Sequence, residues 1–101
     1  MEVLIINPPN IPFTDLNILI EPIDILTLAT YVQQRVSVQV LDMDVKRISA
    51  TNFETYLQNK KFSHVVLVYD YHIPLHTDEA FNEIKKIAQI AHNKGSTVIL
   101  I

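Results

Sequence analysis

Val65-Val66-Leu67-Val68-Tyr69 carries no charge and no turn former, and the fold hangs on how this run is read. A strand with one wet face alternates apolar and polar residues. A run that is apolar at every position belongs to a strand covered on both faces, which is the habit of parallel sheets. Working outward, Val3-Leu4-Ile5-Ile6 repeats the pattern near the start, and Thr97 to Ile101 repeats it near the end. Ser37-Val38-Gln39-Val40-Leu41 alternates instead, which predicts an edge strand or one with a wetter face.

The segments between these runs have helical spacing. Glu21-Pro22 opens the first, with proline at the helix start and an acid beside the positive dipole end. Ile25, Leu28, Ala29 and Val32 then form one apolar face. A weaker helix is expected over Thr51 to Asn59, with Phe53, Tyr56 and Leu57 inward. Asp78 to Asn93 is the clearest helix, with Phe81, Ile84, Ala88 and Ala91 as its stripe, joined by Ile87. Gly95, the sole glycine, follows where a left-handed C-cap is needed.

The order β-α-β-α-β-α-β predicts one flavodoxin-like (Rossmann-like) α/β domain over residues 1–101, a three-layer α/β/α sandwich around a parallel sheet of strand order 2-1-3-4. Ending on a bare strand is unusual for such a domain, so the chain is expected to be the N-terminal part of a longer protein, truncated after its fourth strand.

Composition narrows the function classes. Hydrophobic residues make up 49% of the 101, enough for a core, while charged residues are 19%. That is below the common share of about a quarter, so part of the surface is expected to meet a partner. The net charge of −3 and scattered lysines argue against nucleic acid, which favours basic stripes. With no cysteine, the chain has no disulfide, thiolate metal site or cysteine nucleophile. No apolar run is long enough for a membrane span, and no signal peptide is visible, so a cytoplasmic location is expected.

In open α/β sheets, ligands sit beyond the carboxyl ends of the strands where the strand order reverses. Here that point lies between the first and third strands, beneath the loops Asn7 to Ile20 and Asp70 to Thr77. The first loop is apolar for its kind (Ile11, Phe13, Leu16, Ile18, Leu19, Ile20) and is expected to fold over something. A single glycine excludes both common glycine-rich phosphate cradles. A phospho-acceptor receiver needs acids after the first strand. Asp70 is suitably placed after the third, but Asn7-Pro8-Pro9 stands where the metal-holding acids belong. His72 and His76 have Pro74 between them, which argues against a helical metal pair. Asp42 and Asp44 either cap the second strand or meet a cation or a ribose. Tyr69 and Tyr71 either stack on a flat ligand or fill the space themselves.

Val3-Leu4-Ile5-Ile6-Asn7-Pro8-Pro9-Asn10 resembles the opening strand and Asn-Pro-Pro loop of the amino-terminal cobalamin-binding domain of radical SAM enzymes. The segment from Glu21 to Val32 resembles that family's first helix, and Val38 to Asp44 its second strand. Ala88, Ala91 and Lys94-Gly95 before an apolar strand are similar to its next unit. There are departures: Asp24 and Val36 stand where the family usually has glycine, and Leu67-Val68-Tyr69 where it usually has Gly-Ile-Ser. The histidine motif that ligates cobalt in related cobalamin enzymes does not follow the first strand.

The resemblance implies cobalamin as cofactor, lying over Asn7, Pro8, Pro9, Asn10, Tyr69, Asp70 and Tyr71. It further implies that the complete protein continues into a radical SAM barrel, the domain's partner, which holds an iron–sulfur cluster on cysteines and cleaves S-adenosylmethionine. None of those cysteines is here, so this stretch alone is not expected to be an enzyme and has no expected catalytic residue or metal ligand. The other expectation left open is a domain that has lost the cofactor and serves as a packing or recognition module.

Overall fold

The computed structural model describes residues 2–9, 23–68 and 78–101. The chain runs β1 (Glu2–Asn7), α1 (Ile23–Val32), β2 (Ser37–Asp42), α2 (Ala50–Tyr56), β3 (His64–Leu67), α3 (Asp78–Asn93) and β4 (Thr97–Leu100). The strands make one sheet in the order β2-β1-β3-β4, with every pairing parallel. This is the flavodoxin-like α/β arrangement that the apolar runs predict.

Burial follows the strand patterns in β1, β2 and β3 but not in β4, whose apolar run predicts cover on both faces and which is instead an edge strand with Thr97, Ile99 and Leu100 exposed. In β1, Val3 to Ile6 are all buried, and in β3 Val65 to Leu67 are too, because both strands are central and covered on both faces. The alternating β2 is an edge strand, with Leu41 buried and Val40 exposed. Strand alternation sorts the core into two parts. Leu4, Ile6, Leu41, Val65 and Leu67 pack against α2 and α3 through Phe53, Leu57, Ile84, Ile87 and Ala91. Val3, Ile5 and Val66 pack on the opposite face against Ile25 and Ala29 of α1.

Two local details depart from the sequence reading, and a third was not read at all. Phe81 stands in the expected stripe of α3, yet it is 38% exposed while Ala80 is buried. The Phe81 ring lies instead under the Lys85 ammonium, 4.9 Å from its centroid. The helix expected from Thr51 begins one residue earlier, at Ala50. Its N-cap residue, Ser49, makes no side-chain cap bond; Glu83 of α3 accepts the Ala50 backbone N–H. Met43 is fully buried, although it lies in the turn after β2 and outside any regular element.

The end of α3 matches expectation closely. Gly95 has φ +92°, its N–H bonds the His92 carbonyl at 2.9 Å, and Ser96 N–H reaches back to Ala91 at 3.1 Å. This is a Schellman cap, whose left-handed position favours glycine. The Ser96 hydroxyl then donates to the buried Phe62 carbonyl at 2.7 Å and ties the start of β4 to the start of β3.

Candidate functional site

The ladder continues one residue past each strand. Met43 N–H bonds the Asn7 carbonyl at 3.0 Å, Val68 N–H bonds Ile6 at 3.2 Å, and Ile101 N–H bonds Leu67 at 3.0 Å. The register pairs Asn7 with Asp42, Ile6 with Leu67 and Leu67 with Leu100. The carboxyl edge of the sheet is therefore level, and Asp42, Asn7, Val68 and Ile101 follow one another across it in strand order.

Side-chain alternation puts all four on the same face, the one carrying α1. Val68 packs against the α1-side cluster. Val98 packs on the other side, so Ile101, three residues on, returns to the α1 face. The row is polar over β2 and β1 (Asp42, Asn7) and apolar over β3 and β4 (Val68, Ile101). Strand order reverses at its middle, between β1 and β3.

The polar half is held by a defined bond network. Asn7 Nδ2 donates to Asp42 Oδ1 at 2.9 Å in a half-buried setting. The same oxygen accepts the Val45 backbone N–H at 3.1 Å. Asp42 thus caps the turn that follows β2, one of the roles its position allowed. The turn closes at Arg47, which has φ 55°, and Ile48 N–H bonds the Met43 carbonyl at 2.9 Å. Asp44 is buried within it.

Of the residues named from sequence, Asn7, Pro8 and Pro9 lie together at the tip of β1. Pro8 is half-buried and the Pro9 side chain is fully buried. Asn10, Tyr69, Asp70 and Tyr71 lie outside the described residues, as do His72 and His76. Leu67, which stands in the segment where the resembling family has small residues, is fully buried on the α2/α3 side and takes no space at this edge. Val68 does occupy it.

The Asn7–Asp42 pair escaped the sequence reading, which placed the two residues in separate arguments. They are 35 positions apart, and only the parallel β1–β2 register brings them side by side. A usable signal existed: each is the polar residue that closes a strand, and the two strands were expected to be neighbours. Among the described residues there is no group of three or more His, Cys, Asp or Glu side chains able to hold a metal ion. No helix among them is long and apolar enough to cross a membrane. No protein-family model matches the chain, and no curated protein or solved structure matches it.

Proposed function

We propose that this chain is a cobalamin-binding-like domain of a radical SAM protein, and that it positions a corrin at the carboxyl edge of its sheet. The observation that carries the reading is the strand-order reversal between β1 and β3 directly beside the Asn7-Pro8-Pro9 tip. A parallel sheet of this kind receives ligands at that crevice. The row Asp42, Asn7, Val68, Ile101 fits the group: its apolar half suits the flat body of a corrin, and its polar half suits the uncharged amides at a corrin's rim.

Asn7 would bind and orient such a rim amide, while Val68 would support the ring. Bound cobalamin would supply the cobalt chemistry; the residues of this chain hold and place it. In this reading the protein is cytoplasmic and its partner is the radical SAM barrel of the same protein, which supplies the iron–sulfur cluster and S-adenosylmethionine.

The test is a titration with hydroxocobalamin, in the full-length protein where that is longer. A shift in the visible corrin spectrum, and corrin retained after desalting, is the expected result. An unchanged spectrum and complete loss of corrin on desalting would sink the binding claim.

A second reading is favoured by the sequence at this edge: Tyr69 stands where the resembling family has serine, Tyr71 adds bulk two residues on, and Asp24 and Val36 stand where the family has glycine. On that reading the same platform has lost the cofactor and serves as a recognition surface for the barrel. Stoichiometric tight binding of hydroxocobalamin would remove it.

A further inference from the structure

We infer that Asp42 is a positioning residue: it locks the Asn7 side-chain amide with its oxygen toward the β1–β3 crevice, so that this edge takes uncharged hydrogen-bond donors, primary amides above all, and disfavours anions. The inference deepens the corrin-platform reading and rests on it for the identity of the natural ligand; the orientation of the amide rests on geometry alone.

The Asp42 carboxylate is fixed independently of Asn7, because the oxygen that meets Asn7 also accepts the Val45 backbone N–H. A carboxylate accepts hydrogen bonds and does not donate them, so the amide must offer it nitrogen. An amide is a planar fork whose nitrogen and oxygen prongs diverge. In the order β2-β1-β3, the nitrogen prong of Asn7 points to the β2 side. The oxygen prong then lies on the β3 side, toward the crevice where the strand order reverses.

The backbone has the same polarity. A phosphate-binding turn after a first strand works by aiming free N–H groups at the anion. Here Pro8 and Pro9 follow Asn7, and neither has an N–H to give. The Asn7 carbonyl is itself an acceptor, already used by Met43. The tip of β1 therefore offers acceptors where nucleotide-binding relatives of this architecture offer donors, and the Asp42 carboxylate stands directly behind them. An anion would meet the Asn7 amide oxygen and no donor from Pro8 or Pro9. An amide N–H would meet an oriented acceptor.

The test uses the intact chain and two pairs of probes. Cobinamide carries amides around its ring, whereas cobyrinic acid carries carboxylates at the same places. Wild type is expected to bind cobinamide at least about tenfold more tightly than cobyrinic acid. That ratio should collapse toward unity in Asp42→Ala. It should be largely kept in Asp42→Asn, whose side-chain oxygen can still accept from both Asn7 and Val45. A merely structural role for Asp42 would weaken both corrins together and leave the ratio unchanged. Equal binding of both by wild type would overturn the inference and leave the corrin reading standing.

If neither corrin binds, the corrin reading fails and the second pair decides the inference. Acetamide and acetate have the same shape. In amide nitrogen–proton correlation spectra, acetamide should shift the Asn7 side-chain resonances, identified by their loss in Asn7→Ser, and acetate should not. Equal shifts, or none from either probe, would overturn the inference.

Discussion

The two faces of the sheet are built to different standards. Among the described residues, the α2/α3 face gathers thirteen buried side chains into one cluster, and the α1 face gathers five. The first cluster draws on both helices, on three strands and on Met43 in the turn after β2, so a side chain there is walled in from several directions. The second rests on α1, which packs over β1 and β2. Among the described residues the larger buried cluster lies on one face, and the row of Asp42, Asn7, Val68 and Ile101 lies at the edge of the other. That division suits a binding surface, since elements that adjust to ligands are drawn from the less stable parts of a fold.

The sharpest way to break this comparison is to remove the same side chain from each face. Ile87 and Ile25 are both almost wholly buried, one in each cluster. Ile87→Ala should cost about 4–5 kcal/mol, because its walls come from several elements and cannot collapse together. Ile25→Ala should cost about 2–3 kcal/mol, because α1 can settle toward the sheet. Urea unfolding of both variants measures the difference. Equal losses, or a larger loss at Ile25, would mean that the two faces are packed alike.

The next effect concerns how the thicker face is tied together. Glu83 of α3 accepts the Ala50 backbone N–H at the start of α2 and takes the place of a local cap. Its other carboxylate oxygen lies 3.9 Å from Lys86, which is too exposed for that pair to matter much. Glu83→Ala should destabilise by about 1–2 kcal/mol and loosen α2 specifically, because it strands a helix-terminal donor. Glu83→Gln keeps an acceptor and should recover about half of that loss or more. Hydrogen exchange at Ala50 and its neighbours would show the loosening. A uniform change across α2 and α3 would argue against a cap.

These two cases also show what could be read before the fold was known. The central strands were legible because they are apolar on both faces, and β2 was legible as an edge because it alternates. Gly95 was legible because a sole glycine after an amphipathic helix has one common use, and its φ of +92° is that use. What escaped was non-local. The cap on α2 comes from a residue 33 positions away, so nothing local to the start of that helix reveals it. The burial of Ala80 over Phe81 depends on how α3 lies on the sheet, which periodicity does not contain. The same holds at the site. The reversal point followed from strand order, but the Asn7–Asp42 pair follows from register, and Asp42 alone reads equally well as a cap or a ligand.

A smaller effect tests whether the α2/α3 side is also closed at the amino end of the sheet. The Ser96 hydroxyl is buried and donates to the Phe62 carbonyl at 2.7 Å. Ser96→Ala should cost about 1–2 kcal/mol, because it leaves a buried carbonyl without this donor. Ser96→Thr should keep the bond and cost less. Thermal melts of the pair check this, and an unchanged midpoint for Ser96→Ala would mean that water replaces the hydroxyl there.

The smallest expected effect lies at the rim of the thicker face. Tyr56 packs against Phe53, with ring centroids 6.3 Å apart, and Lys60 sits 4.5 Å from its centroid. Burial disfavours the phenolate, so its pKa is raised above the ordinary 10.0. The native state then holds the phenolic proton more tightly than the unfolded chain does. This contribution to stability is complete below pH 10.0 and is lost as pH rises through the higher native value. Alkaline titration of tyrosinate absorbance should show one late component that disappears in Tyr56→Phe. The variant's stability should also fall less steeply above pH 10.0 than that of the wild type. An unchanged alkaline slope would mean that the rim of this face is as open to water as the α1 side, and that the contrast between the faces is confined to their centres.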